Sequence, residues 1–180
     1  MLRRPKSLRT NRRGAAAVEA ALVMGIFLML LFGVYEYCRF LMVLHVTNNA
    51  ARDASRYATV NVGCDPTQVA TMKTNILNYA TTRMGGVNQN LNGYQVAVYP
   101  CTTAGFALSP PQAIPKSLST TTAADPFNAS DPNNPPWNQA AFTERIAVTI
   151  RGNYQPVTPL LLLLPSSIPV SITAVMGSEG

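Results

Sequence analysis

The chain has 180 residues and a formal net charge of +6, but six of its 14 basic residues fall in positions 1–14, which hold no acid. The remaining residues carry eight bases against eight acids, so the charge is a short flank and not a nucleic-acid-binding face. One domain is the expected count at this length. About 120 residues lie beyond position 60, enough for one modest core.

Residues 1–14, MLRRPKSLRTNRRG, form a basic leader too polar to pack. Residues 15–35, AAAVEAALVMGIFLMLLFGVY, hold a single ionisable group, Glu19. At about 1.5 Å rise per residue they make a helix of roughly 30 Å, the thickness of a bilayer's hydrocarbon core. The basic flank keeps the N-terminus in the cytoplasm and sends the residues beyond about 40 outward. An ordinary secretory signal has a shorter apolar run followed by a small-residue cleavage site; here the run continues into Tyr35-Glu36-Tyr37-Cys38-Arg39. An uncleaved signal anchor accounts for that orientation equally well.

Two features go beyond a plain anchor. Gly14 lies at the junction of charge and apolar run, in Arg12-Arg13-Gly14-Ala15. Glu19 sits one turn further on, where a carboxylate needs a partner: charged groups at a membrane helix centre cost on the order of 2.5–3.5 kcal/mol, less near the end. Cleavage after Gly14 would supply one, the new ammonium of Ala15 in the same chain or in a neighbour. The alternative is a glutamate tolerated among headgroups. Ala17, Ala21, Gly25 and Gly33 recur on one face, with Met29 filling the gap. Such a face permits close helix approach, although small residues are also simply common in membrane helices.

Gly14 followed by AAAVEAALV, with glutamate fifth after the glycine, resembles a type IV prepilin processing site. The longer run through Glu36 to Ala50-Ala51-Arg52-Asp53-Ala54-Ser55-Arg56-Tyr57-Ala58 resembles the TadE-like pseudopilins of tight-adherence (Flp pilus) systems. Those proteins have a basic leader, an apolar helix, an acid near its exit and an alanine-rich segment of this type. The likeness is specific over residues 12–60, a quarter of the chain, and weaker in the C-terminal part from Ile146 to Ile172. One departure is Ala20, where an aromatic residue commonly follows the glutamate. The resemblance implies a non-enzymatic pilus-assembly subunit of the inner membrane with its C-terminal domain outside. Its implied partners are a prepilin peptidase, a second pseudopilin, a major Flp pilin, a platform protein and a secretion ATPase, together with the lipid bilayer. The competing reading is an uncleaved, membrane-anchored domain that binds a ligand outside the cell.

Beyond Tyr35 the helix is expected to continue in water to about Thr59, roughly 65 Å in all. Glu36 and Arg39 are spaced to pair at i,i+3. Phe40, Leu44, Thr47, Ala51, Ala54 and Ala58 recur at three to four residues on an inward face, with Asn48, Arg52 and Ser55 opposite. Gly63 and Cys64 end it. Asp65-Pro66-Thr67-Gln68 then reads as an N-cap, a proline at N1 and a capping-box glutamine, followed by Val69, Met72, Ile76 and Ala80 at helical spacing. Gly85-Gly86 and the asparagine-rich stretch to Gly93 mark a turn region.

Three strands follow. Residues 94–101 alternate around Val96 and Val98. Residues 144–151 set Ile146, Val148 and Ile150 against Arg145, Ala147, Thr149 and Arg151. Residues 168–176 alternate around Val170, Ile172 and Ala174. Such alternation predicts an antiparallel sheet with one covered face. Residues 102–141 form a long proline-rich loop whose end Trp137 is expected to pin to the core. Leu160–Leu164 lie between prolines, too few to span a bilayer. Burial in the domain is the first expectation for them, with a dip into the membrane surface or a partner contact as alternatives. The fold class is thus α+β, in three segments: leader 1–14, membrane and membrane-proximal helix 15–60, and exported domain 61–180 with loop 102–141.

No histidine or cysteine pair has metal-ligand spacing, and no cofactor motif is present. The one histidine, His45, lies on the membrane-proximal helix with no nucleophile placed beside it. Scattered carboxylates do not suggest paired acid and base, so the expectation is no enzyme. Cys64 and Cys101 both fall in the exported part, where a disulfide would close a loop worth roughly 4 kcal/mol. Strict alternation, however, puts Cys101 opposite Val96 and Val98. A strand end or bulge at Pro100 would remove that conflict. An odd cysteine count leaves Cys38, at the outer edge of the membrane stretch, unpaired or bonded to another chain.

Overall fold

The computed structural model describes residues 12–102, 112–119, 123–140, 144–157 and 166–177. The run Leu160–Leu164 lies outside them. The order of elements is α1 (Arg12–Val60), α2 (Val69–Arg83), β1 (Leu91–Cys101), β2 (Arg145–Tyr154) and β3 (Ile168–Gly177), an α+β arrangement. The 49 residues of α1 make a rod of about 73 Å.

The rod has two halves of different character. Residues 14–35 are exposed throughout, save the half-buried Gly33. This is the one helix among the described residues long and apolar enough to cross a membrane, and none of its most apolar stretch is covered by the rest of the chain. From Glu36 onward α1 joins the domain. Val43, Thr47, Ala50, Ala51, Ala54, Ser55 and Ala58 are buried at helical spacing. Small side chains there let α2 and the sheet approach closely.

Ser55 departs from the sequence expectation of an outward face. It is fully buried, and its hydroxyl is satisfied by donating to the Arg52 carbonyl at 2.8 Å. Thr47 bonds back to Val43 O in the same way, at 2.7 Å. A hydroxyl that satisfies itself on its own helix escapes the cost of burial, which is why polarity misassigns this position.

Asp65 caps a 3-10 turn, Pro66–Gln68, by accepting from Thr67 N at 2.9 Å, and α2 follows directly. Ile76 and Ala80 face inward, flanked by the partly buried Val69 and Met72. Tyr79 of α2 stacks on Tyr57 of α1 with ring centres 4.8 Å apart, and Arg83 reaches Asp53 at 3.4 Å.

The sheet is an antiparallel meander in the order β1-β2-β3. Its register shifts once, between Asn92 and Gln95 of β1. Gly93 and Tyr94 there oppose the single residue Gly152, and Gly93 takes φ +66°, which glycine adopts without strain. Gly152 is equally constrained, since a Cβ on it would come within 2.8 Å of Leu91 Cβ. Val98, Ile146, Val148, Ile150, Val170 and Ala174 turn toward α1 and α2 and form the main core.

The opposite face is not left to water, as a single covered face would require. Ala97, Tyr99, Cys101 and Ala147 form a second cluster there, with Val175 of β3 beside them and Ala113 and Phe127 from the long loop packed against them. A hydroxyl chain crosses all three strands on this face, from Tyr99 to Thr149 (2.8 Å) to Thr173 (2.7 Å). The described part of the long loop is built from tight turns in which Asp125, Asn128 and Asp131 side chains accept backbone N–H groups two residues on. Trp137 anchors it as expected: the ring is buried and Nε1 donates to Val69 O at 3.1 Å.

The paired cysteines do not materialise. Cys38, Cys64 and Cys101 are all free thiols. Register is unbroken from Gln95 to Cys101, so Pro100 neither ends the strand nor bulges it. Cys101 therefore stays on the loop-covered face, while Cys64 packs beside the helix-covered core. The sheet itself stands between the two sulfurs.

Candidate functional site

α1 carries the sequence-predicted positions in its exposed half. Gly14, Ala15 and Glu19 lie within one continuous helix and are exposed. Glu19 lines a shallow open groove with Ala16, Ala20, Val23, Met24 and Phe27, and no described side chain of its own chain pairs with it. Ala17, Ala21 and Gly25 are also exposed, and a Cβ on Gly25 or Gly33 would meet nothing within 4 Å. This chain therefore leaves the whole small-residue face open.

A polar constellation lies where the rod meets the domain. Tyr35 and Tyr37 are exposed on either side of Glu36, as in the aromatic belts of membrane interfaces. Glu36 itself is only 3% exposed. Its carboxylate accepts from the Tyr154 hydroxyl, at the end of β2, and from the Val157 backbone N–H at 3.2 Å. Arg39, one turn on, places Nη1 3.6 Å from the same carboxylate and donates from Nη2 to Asn90 Oδ1. The guanidinium also lies 5.5 Å from the centre of the Tyr154 ring, and Phe40 meets that ring edge-on at 5.3 Å.

The Tyr154 hydroxyl, the Val157 N–H and the Arg39 guanidinium thus close on one carboxylate, with Asn90 holding Arg39 and Phe40 packed on Tyr154. Burial first, and then donation to Glu36, push the Tyr154 hydroxyl up to about 12, so it remains a proton donor at any physiological pH. The Glu36–Arg39 pairing is as expected, but its setting is not a solvent-exposed helix face. Tyr154, Asn90 and Val157 have no signal in the sequence, since Tyr154 is 118 residues away from Glu36. The one legible hint is an acid directly after an apolar run. These contacts tie the end of β2 and the segment after it to α1 at the point where the apolar run ends.

His45 is exposed on α1. Among the described residues no group of three or more His, Cys, Asp or Glu side chains gathers as for a metal ion. Burial pushes the Cys101 thiol up to about 12, against a smaller opposing effect of Arg145; this is a packing group and not a nucleophile.

Residues 14–56 match the family model described as TadE-like protein. The match begins at the glycine of the charge–apolar junction and ends in the alanine-rich segment, and so takes in Glu19, Glu36 and Arg39. No curated protein and no solved structure matches the chain. The similarity is thus confined to α1; the sheet domain has no counterpart in those comparisons.

Proposed function

We propose that this chain is a membrane-anchored, non-enzymatic subunit of a tight-adherence (Flp-type) pilus system, a pseudopilin processed after Gly14. The observation that carries the proposal is the TadE-like match over residues 14–56 on a helix whose first half is uncovered by its own chain. A prepilin peptidase at the cytoplasmic face removes residues 1–14. The freed Ala15 ammonium then pairs with Glu19 of the same or a neighbouring subunit, offsetting the cost of an acid in lipid. The face of Ala17, Ala21, Gly25 and Gly33 seats another helix, that of a second pseudopilin or of the major Flp pilin. The platform protein and secretion ATPase act on the assembled subunits. The domain lies outside the inner membrane, because the six-cation flank holds the N-terminus inside.

N-terminal sequencing of the protein recovered from membranes tests this reading. Ala15 at the first position is the expected result. Substitution of Gly14 by Val should leave the leader attached and slow the band on a gel. Wild-type protein that begins at Met1 or Leu2, in cells whose pilus apparatus works, would overturn the processed reading and support the uncleaved anchored domain instead.

A further inference from the structure

A cleft of about 560 Å³ opens beside the Glu36 constellation, lined by Arg39, Gln89, Asn90, Asn92, Gln155 and Val157 among others. Its lining holds one cation, four side-chain amides and no acid. Nη2 of the guanidinium donates to Asn90 Oδ1 and Nη1 is buried beside Glu36, which leaves Nε–H and the second Nη2 N–H for a ligand. Because Asn90 accepts through its oxygen, its NH2 is left to donate. Among the described residues, no side-chain hydrogen bond occupies the amides of Gln89, Asn92 or Gln155. Glu36 accepts from Tyr154 and Val157 and lies 3.6 Å from Arg39 Nη1, behind the guanidinium, and does not itself line the cleft.

The height of this cleft is set by the helix. Tyr35 closes the exposed apolar run, and Arg39 follows four residues later, about 6 Å further along the axis. A headgroup layer is about 5–7 Å deep on each side of the hydrocarbon core. Arg39 therefore stands at the level of lipid phosphates, with the half-exposed Val157 at the rim. A planar, fixed guanidinium flanked by amide donors suits a phosphodiester oxygen pair, and amide oxygens suit a headgroup ammonium.

We propose that this cleft binds the headgroup of an outer-leaflet phospholipid, with Arg39 and the Asn90 amide on the phosphate and Asn92 and Gln155 on the polar substituent. The inference rests on the membrane-anchored reading given above. A bound headgroup would hold the domain at a fixed height and rotation over the bilayer, as the Glu36 contacts hold it on the helix.

The test uses the full chain in detergent micelles, titrated with dioleoylphosphatidylethanolamine and followed by native mass spectrometry. A net-neutral lipid avoids attraction to the basic leader. The wild type should retain this lipid about tenfold more tightly than dioleoylglycerol, and the double variant Asn92→Ala, Gln155→Ala, which removes both amides, should lose most of that preference. If the double variant loses native Trp137 emission, Gln155→Ala alone, at an exposed position, is read in its place. Equal retention of dioleoylglycerol, or undiminished preference in the alanine variants, overturns the proposal. Displacement of the lipid by equimolar inorganic phosphate does so too, since it would mark a soluble-anion site. Flotation of the wild type with vesicles reports anchoring separately: protein that does not float defeats the anchored reading, whereas floating protein without headgroup preference defeats only this site.

Discussion

Glu36 shows how one residue takes a different role from the one its neighbourhood in sequence suggests. Next to Arg39 it reads as one partner of a surface ion pair, worth only a few tenths of a kcal/mol. In the fold it is buried and accepts from Tyr154 and Val157. Removing it leaves a hydroxyl and a backbone N–H without their acceptor and the Arg39 guanidinium without its ion-pair partner. Breaking a buried pair from one side costs about 3–5 kcal/mol, a large share of the stability of any small domain. Glu36→Ala should therefore destabilise the domain by about 3 kcal/mol. Glu36→Gln, which keeps an acceptor oxygen, should cost less. Denaturant titration in micelles, followed by the fluorescence of the buried single tryptophan Trp137, measures both. Equal and small losses for the two variants would show that the contacts carry no load.

At the scale of elements, the instructive strand is β1. Its alternation is readable from Gln95 to Cys101, but its start is earlier than the pattern shows, because Gly93 and Tyr94 interrupt the period at the bulge. The same bulge brings Tyr94 OH to 3.3 Å from Thr81 Oγ1 and so ties β1 to α2. Gly152 opposite cannot grow: even one methyl collides with Leu91 Cβ, which cannot swing away as a side-chain tip can. Gly152→Ala should cost about 1–3 kcal/mol, whereas Gly177→Ala, with nothing within 4 Å, should stay within about 0.5 kcal/mol. Thermal melts of the two variants in the same detergent provide the comparison. A harmless Gly152→Ala would mean that β1 and β2 can shift register at this end.

For the whole molecule, the decisive fact is that the sheet is covered twice, by α1 and α2 on one side and by the long loop on the other. This topology separates Cys64 from Cys101, and it predicts thiol behaviour. Under oxidising, non-reducing conditions the native monomer should form no internal crosslink. An alkylating reagent at neutral pH should reach the exposed Cys38 readily and Cys101 only after unfolding, since Cys101 is buried and its thiol is held at about 12. Intact mass before and after denaturation counts the adducts. Rapid native labelling of Cys101 would contradict the second covered face.

The amino-acid sequence by itself determined what depends on neighbours along the chain. It set the apolar rod and its charged flank, the Asp65-Pro66 helix start, the inward positions of α2, and the faces of β2 and β3. Hydrophobic period and capping are local, so they can be read without a fold. Only the tertiary structure decided which distant groups meet. It alone joined Glu36 to Tyr154, gave Ser55 a buried place with an internal acceptor, laid the proline-rich loop over the far face of the sheet, and kept two cysteines apart. Those outcomes depend on how layers stack, and pairing across layers leaves no periodic trace in the sequence of either partner.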